Sequence, residues 1–340
     1  MNRHPVVKIG LLGLGTVGSG VVKMLENHPE ALLERSGNDV EITKILVRDL
    51  DKQRAVDVPR ERLTQNVAEI IQDPEIDIII EVMGGEEETK QIVLAALEQG
   101  KHVVTANKDL IALHGAELSR IAEENGVELH YEAAVAGAIP ILRALRQSMA
   151  ADQIVEVMGI VNGTTNYILS KMTGEGASYD EVLAEAQMLG YAEADPYADV
   201  SGLDAARKMA ILASIAFHRP VALADVAIQG IEKITQEKIA AARAQGGVIK
   251  LIGRAQRVGA DVLVSVGPMV LSNDHPLALV NDSYNAVHVR GEALGEAMFY
   301  GRGAGMMPTA SAVVGDLLAV LRSPQMAQGH AELRLAGVLR

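Results

Sequence analysis

Asp204 and Lys208 stand four residues apart in the string GLDAARKMAILASIAF. On a helix this spacing places a carboxylate and an ammonium on one face, and Ile211, Leu212 and Ile215 continue that face as an apolar stripe. On a surface helix such a pair is a salt bridge worth about 0.3–0.5 kcal/mol with no further role. Set on an apolar stripe, it turns inward, where an unpaired charge is costly. Inward ionisable groups beside a cleft are candidates for proton transfer. Near the other end of the chain, Gly13-Leu14-Gly15-Thr16-Val17-Gly18 fits G-x-G-x-x-G. Its first glycine permits a tight turn, its second lets the backbone approach a pyrophosphate, and its third lets a helix pack closely on a strand. A helix beginning at Thr16 and Val17 then offers free N–H groups to the anion.

In a chain with 32 glycines the bare match is weak; the flanking elements make it specific. Val6–Leu12 is a continuous apolar run ending in glycine, the pattern of a buried parallel strand. Helical spacing follows over Thr16–Asn27, and a polar stretch, 28–39, returns the chain to a second strand over Val40–Val47. A short helix contains Val67–Ile71. Strands over Ile76–Glu81, Lys101–Thr105 and Val127–Tyr131 then alternate with helices over Glu87–Gln99 and Asp109–Asn125, each helix closed by a glycine. This alternation predicts an α/β fold: a doubly wound sheet of the Rossmann type with helices on both faces.

The pattern changes near Ala138. Val155–Val161 reads as a strand, and helices are expected over Tyr179–Leu189, Val200–Phe217 and Thr235–Gln245. Val248–Val258, Val262–Met269, Asn285–Val289 and Ala293–Tyr300 read as strands of a second, antiparallel sheet. A last helix over Thr309–Arg322 is expected to pack back on the first domain. The organisation is a dinucleotide-binding domain over 1–137 with 308–340, and an α+β substrate and dimerisation domain over 138–307.

At the tip of the second strand, Val47-Arg48-Asp49 bears on the cofactor. An acidic residue there takes the ribose 2′-OH of NAD, whereas the arginine fork matches a 2′-phosphate. Arg48 therefore favours NADP and Asp49 keeps NAD open; the alternative for Arg48 is a solvated loop charge.

Composition narrows the function classes. The net charge of −13 repels a polyanion, which argues against nucleic acid as a partner. With no cysteine there are no disulfides, no thiolate zinc site and no thiolate nucleophile. The histidines form no ligand cluster, so no catalytic metal is expected. No run approaches the roughly 20 apolar residues of a bilayer span, and Lys8 and four glycines interrupt the one stretch that imitates a signal peptide. A soluble, cytoplasmic enzyme acting on a small molecule is the expectation, with no membrane partner.

Eight strings in order then show a resemblance to homoserine dehydrogenases. They are the glycine turn, EVMGG at 81–85, TANK at 105–108, YEAAVAGAIPI at 131–141, NGTTNYIL at 162–169, GYAEADP at 190–196, GLDAARK at 202–208 and GAGMMPTASAVVGD at 303–316. The resemblance implies NAD(P)-dependent interconversion of L-homoserine and L-aspartate 4-semialdehyde, in the biosynthesis of threonine, methionine and isoleucine. It implies that Lys208 passes the proton to or from the reacting oxygen, and that Glu193 and Asp204 bind the substrate, through its ammonium group. Lys108 matches a second lysine near the nicotinamide, and which of the two lysines carries the proton stays open. Thr105, Gly190 and Gly305 match positions close to the cofactor; otherwise they are a strand-end threonine and ordinary turn glycines. Glu132, Val135, Gly137 and Ile139 match a structural Na⁺ site of one carboxylate and backbone carbonyls at the junction of the domains. Ala138 stands where the family more often has glycine, so a positive φ there would be strained.

The family's regulatory ACT domain often follows the final helix. Since the chain ends shortly after Arg322, the expectation is a short form without that domain. A homodimer is expected from the second sheet pairing across a two-fold axis. Two other readings fit parts of the pattern: another amino-acid oxidoreductase of this architecture, such as an aspartate dehydrogenase, and a catalytically dead dinucleotide-binding sensor. The lack of cysteine disfavours an acylating semialdehyde dehydrogenase, and the presence of both lysines argues against the sensor.

Overall fold

A computed structural model describes residues 5–326. The described chain forms two compact units, one drawn from residues 5–134 with 305–326 and the other from Val135–Ala304.

The first unit is built on a parallel six-stranded sheet. Its strands are β1 (Val6–Leu12), β2 (Asp39–Leu46), β3 (Leu63–Thr64), β4 (Ile78–Glu81), β5 (His102–Thr105) and β6 (Leu129–His130). They lie in the order β3-β2-β1-β4-β5-β6, so the direction of winding reverses between β1 and β4. In a doubly wound sheet the ligand crevice opens at the carboxyl ends of the strands at this reversal. Ile78, Ile79 and Ile80 are fully buried, as are Ile9 and Leu11, because helices cover both faces of a parallel sheet. Burying each such side chain stabilises the fold by about 1.5–3 kcal/mol. Helix Thr16–Asn27 follows β1 directly, and helix Met306–Leu321 packs against it, adding Ala310, Val313 and Leu317 to the core. The stretch expected to be a polar return holds a helix, Pro29–Ser36, with proline in its first turn and Gly37 closing it in the left-handed conformation.

The second unit has a six-stranded sheet in the order β12-β11-β7-β9-β10-β8. The strands are β7 (Ile154–Ile160), β8 (Val226–Ile228), β9 (Gly247–Val258), β10 (Asp261–Ser272), β11 (Tyr284–Gly291) and β12 (Gly295–Arg302). It is antiparallel except at its edge, where β8 runs parallel to β10, so the sheet is mixed and not the wholly antiparallel one expected. Helix Gly163–Glu175 was not anticipated. Its apolar residues lack one clean stripe because it is buried along most of its length, from Thr164 to Leu169 and at Met172. Asn162 caps it, its side-chain oxygen accepting the Thr165 N–H at 2.8 Å. Helix Leu203–Ala216 packs on β9 and β10 and carries Asp204 and Lys208.

No helix among the described residues is long and apolar enough to cross a membrane.

Candidate active site

In the first unit the glycine turn joins β1 to helix Thr16–Asn27 at the reversal of winding. Gly13 has φ 104°, and a Cβ there would meet the Met83 backbone at 2.9 Å. A Cβ on Gly18 would lie 2.2 Å from the Gly13 carbonyl oxygen. Both positions need glycine for reasons internal to the fold. Gly15 differs: its backbone is extended, and a Cβ would meet nothing within 4 Å. The protein leaves that space open, as a pyrophosphate lying against the backbone requires. Thr16 and Val17 open the helix, where the N–H groups have no intrahelical acceptor. The residues therefore fit a dinucleotide.

Arg48 is exposed just past β2, and its carbonyl accepts the Gln65 side-chain amide at 2.7 Å. The Asp49 carboxylate accepts the Asp51 N–H at 2.8 Å. Thr105 ends β5 fully buried, its hydroxyl donating to Glu81 at 2.5 Å. Neither the side chain nor the backbone of Thr105 is exposed in this arrangement. Asn107 caps the helix Lys108–Glu124, accepting the Leu110 N–H at 3.1 Å, which places Lys108 in the first turn, half-buried. Gly305 precedes the helix Met306–Leu321 with φ 121°.

In the second unit the Asp204–Lys208 pair is turned inward, with side-chain exposures of 8% and 13%. Lys208 Nζ donates to Asp204 Oδ2 at 2.7 Å and to the Val161 carbonyl at 2.8 Å. Asp204 sits in the first turn of its helix, where the free N–H groups favour a negative charge. The Asn162 amide donates to Asp204 Oδ2 at 2.9 Å and to Asp199 Oδ1 at 2.7 Å. Burial pushes the Asp199 carboxyl above its ordinary range, and the charge of Asp204 adds to this, against the Asn162 hydrogen bond. Sequence reading missed both Asn162 and Asp199. Asn162 stood in the quoted NGTTNYIL string, but only the fold shows its side chain facing the GLDAARK helix. Glu193 is exposed, with its carbonyl accepting the Gln187 amide at 3.1 Å, and Gly190 ends the preceding helix with φ 76°. No hydrogen bond between Glu193 and the Asp204–Lys208 pair is seen among the described residues.

Glu132 is buried, its N–H donating to the Asp316 carboxylate at 2.7 Å. In the second unit, Ala136 and Gly137 are consecutive left-handed residues, with φ of 55° and 53°. The strain expected at Ala138 does not arise: that residue has no positive φ, and its N–H donates to the Arg302 carbonyl at 3.1 Å. In this segment the non-glycine residue that bears the left-handed conformation is Ala136, at a cost of about 1–2 kcal/mol. Carboxylate oxygens such as that of Glu132, and backbone carbonyls such as those of Val135, Gly137 and Ile139 in the second unit, belong to the class of donor that suits a hard cation. Among the described residues no group of three or more His, Asp or Glu side chains could hold a metal ion.

The comparisons with known proteins cover both units. Residues 13–132 match the family model for the homoserine dehydrogenase NAD-binding domain, and residues 140–318 match the model for homoserine dehydrogenase. A homoserine dehydrogenase of Bacillus subtilis is 55% identical over 320 residues, spanning 94% of this chain and 74% of the relative. A homoserine dehydrogenase from Thiobacillus denitrificans has the same fold with a TM-score of 0.91 and 44% identity, over 94% of this chain and 74% of that one. A hyperthermophilic archaeal homoserine dehydrogenase solved in complex with NADPH superposes with a TM-score of 0.79 at 27% identity, over 94% and 99% of the two chains. The dinucleotide turn, the buried lysine–carboxylate pair and these relatives agree along nearly all of the sequence: this chain belongs to the homoserine dehydrogenase family.

Proposed function

We propose that this enzyme interconverts L-homoserine and L-aspartate 4-semialdehyde with NADP as its preferred dinucleotide, and that Lys208 serves the proton at the reacting oxygen. When bound, the dinucleotide supplies or accepts the hydride. The observation that carries the assignment is the anchoring of Lys208. Asp204 and the Val161 carbonyl hold two of its N–H bonds, which leaves a third for a substrate oxygen. In the reducing direction an ammonium so held stabilises the developing alkoxide and donates a proton to it. Asp204 Oδ2 is engaged by Lys208 and Asn162, so Asp204 acts first as the anchor of the lysine. Glu193 and Asp199 are the further carboxylates suited to the substrate's ammonium group. Lys108, in the first turn of its helix, is the second lysine of the reaction and a contact for the cofactor. The exposed Arg48 guanidinium supports the preference for NADP, since its fork matches a 2′-phosphate. Gly13, Gly15, Thr16, Val17 and Gly18 hold the pyrophosphate, with backbone contacts from Gly190 and Gly305, while the buried Thr105 supports the loop from behind.

The deciding experiment is reduction of NADP⁺ by L-homoserine, compared with L-aspartate and with no substrate, for the parent enzyme and Lys208→Ala. Turnover confined to homoserine and lost in the variant, with NADPH binding intact, is expected. Loss of NADPH binding in Lys208→Ala would refute the role given to Lys208.

A structural Na⁺ ion held by the Glu132 carboxylate and the Val135, Gly137 and Ile139 carbonyls belongs to the same reading. It neutralises a buried carboxylate and takes no part in the chemistry. Replacing NaCl by choline chloride at constant ionic strength should lower the thermal midpoint of the parent and not of Glu132→Gln. We also take the enzyme to be a cytoplasmic homodimer. Exposed Met298 and Tyr300 on the edge strand β12 support pairing, and sedimentation velocity tests it.

A further inference from the structure

We propose that Glu81 is a positioning residue for the reaction: its buried carboxylate closes a ring of hydrogen bonds that fixes where the helix carrying Lys108 begins. The proposal rests on the reading of Lys108 as a lysine of the reaction. Glu81 is the last residue of β4 and is fully buried. Its partners are all neutral donors. Oε1 accepts the N–H groups of Met83 at 2.9 Å and Gly84 at 3.0 Å, and Oε2 accepts the Thr105 hydroxyl at 2.5 Å. Thr105 Oγ in turn accepts the Asn107 N–H at 3.0 Å, and the Asn107 side-chain amide donates to the Gly85 carbonyl at 2.7 Å. The ring therefore runs from Glu81 through the loop after β4 to Asn107, then through Thr105 back to Glu81. Asn107 is the cap of the helix whose first residue is Lys108.

Stability alone does not ask for a charge here. An apolar residue would pack as Ile78–Ile80 do, and replacing buried charges by well-packed apolar groups is often neutral or stabilising. Burial pushes the Glu81 carboxyl above its ordinary range, while Thr105, Met83 and Gly84 oppose this by hydrogen bonding. What the carboxylate adds is geometry. The Thr105 hydroxyl gives its single hydrogen to Glu81 while its oxygen accepts from Asn107, so one side chain serves as donor and acceptor in the ring. Both Glu81 oxygens are then acceptors, as an ionised carboxylate provides; a carboxamide of the same shape would point an N–H at Thr105 and turn that hydroxyl's hydrogen out of the ring. The ring also holds Met83, whose backbone comes within 2.9 Å of where a Cβ on Gly13 would be. Glu81 thereby links the dinucleotide turn to the start of the Lys108 helix across the winding reversal of the sheet.

The test is a double-mutant cycle on the full chain with Glu81→Gln and Lys108→Ala, measuring kcat, KM and NADPH affinity. We expect Glu81→Gln to lower kcat by about 10- to 100-fold, as a displacement of about 1 Å does, and to weaken NADPH binding no more than Lys108→Ala does. In the Lys108→Ala background the same change should alter kcat by less than about twofold, because residues acting through one another are not additive. Thr105→Val breaks the ring while leaving the carboxylate in place. It should show the same loss and the same non-additivity, and it carries the test if Glu81→Gln does not fold. Losses that multiply in the double variants would overturn the positioning role. An unchanged kcat in Lys108→Ala alone would instead overturn the reading of Lys108, and the two failures are distinct.

Discussion

Lys208 Nζ lies 2.7 Å from Asp204 Oδ2, and that same oxygen receives the Asn162 amide at 2.9 Å. One carboxylate oxygen thus fixes both the ammonium from its own helix and the cap of the helix Gly163–Glu175. Lys208→Ala should lower kcat by about 10²–10⁴-fold, the usual range for a general acid or base. It should also destabilise the fold by about 2–3 kcal/mol, less than for a fully orphaned buried charge because Asn162 still serves Asp204. Stopped-flow kinetics and urea unfolding of the same preparation check both parts, and an active variant would refute the assignment.

Asn162→Ala removes a helix cap and the amide shared by Asp199 and Asp204. The cap contributes about 1 kcal/mol. The two carboxylates, no longer bridged, repel one another and lose their common orientation. The expected result is a raised KM for L-homoserine with little change in KM for the dinucleotide. A rise in the dinucleotide KM alone would contradict it.

The glycine turn separates folding from binding. A Cβ on Gly18 meets the Gly13 carbonyl at 2.2 Å, whereas one on Gly15 meets nothing within 4 Å. Gly18→Ala should therefore lose about 1–3 kcal/mol of stability from overpacking. Gly15→Ala should unfold at the parent's urea midpoint but bind NADPH on the order of tenfold more weakly, or worse. Unweakened NADPH binding by Gly15→Ala would mean that the pyrophosphate lies elsewhere.

Arg48→Ser tests the dinucleotide preference. A hydrogen bond to a charged group contributes about 1.5–3 kcal/mol, so NADPH affinity should fall about 10- to 100-fold while NADH affinity holds. Fluorescence titration with both reduced dinucleotides measures this, and equal losses would assign Arg48 no part in selectivity.

Lys250 provides a pH-dependent signature in the second unit. It is fully buried on β9, donating to the Val280 carbonyl at 2.6 Å and sharing its other two hydrogens among the side-chain oxygens of Asn166, Asn281 and Ser170. Burial pushes its ammonium from an ordinary 10.5 down to about 8, partly opposed by Asp282. The unfolded chain then binds more protons than the folded one between these values. Stability from this site accordingly rises with pH from about 8 to about 10.5 and is level below pH 8. The unfolding free energy of the parent minus that of Lys250→Met should climb by on the order of 3 kcal/mol across that window. A flat difference would show that the lysine keeps its ordinary affinity for the proton.

Much of the first unit was legible in sequence because parallel strands buried on both faces read as apolar runs, as in Ile78–Ile80, and glycines mark the turns between elements. The same local rules named the dinucleotide turn, and the i,i+4 spacing placed Asp204 and Lys208 on one helical face. Helix Gly163–Glu175 stayed hidden because burial along most of its length leaves no polar face to set the period. The parallel edge strand β8 is three residues long, too short to show a pattern. Long-range partnerships were beyond any local rule. Asn162 meets Asp204 across 42 residues and Glu81 meets Thr105 across 24, through hydrogen bonds that only the packing of separate elements creates. The left-handed residues fall at Ala136 and Gly137, not at Ala138, because Gly137 packs against the Gly303 carbonyl with no room for a Cβ. Sequence alone thus determined the family, the class of cofactor and the names of the lysines. The tertiary structure decided which buried carboxylate holds Lys208 in place, since a charge withdrawn from water takes its partners from whatever the fold brings within hydrogen-bonding reach.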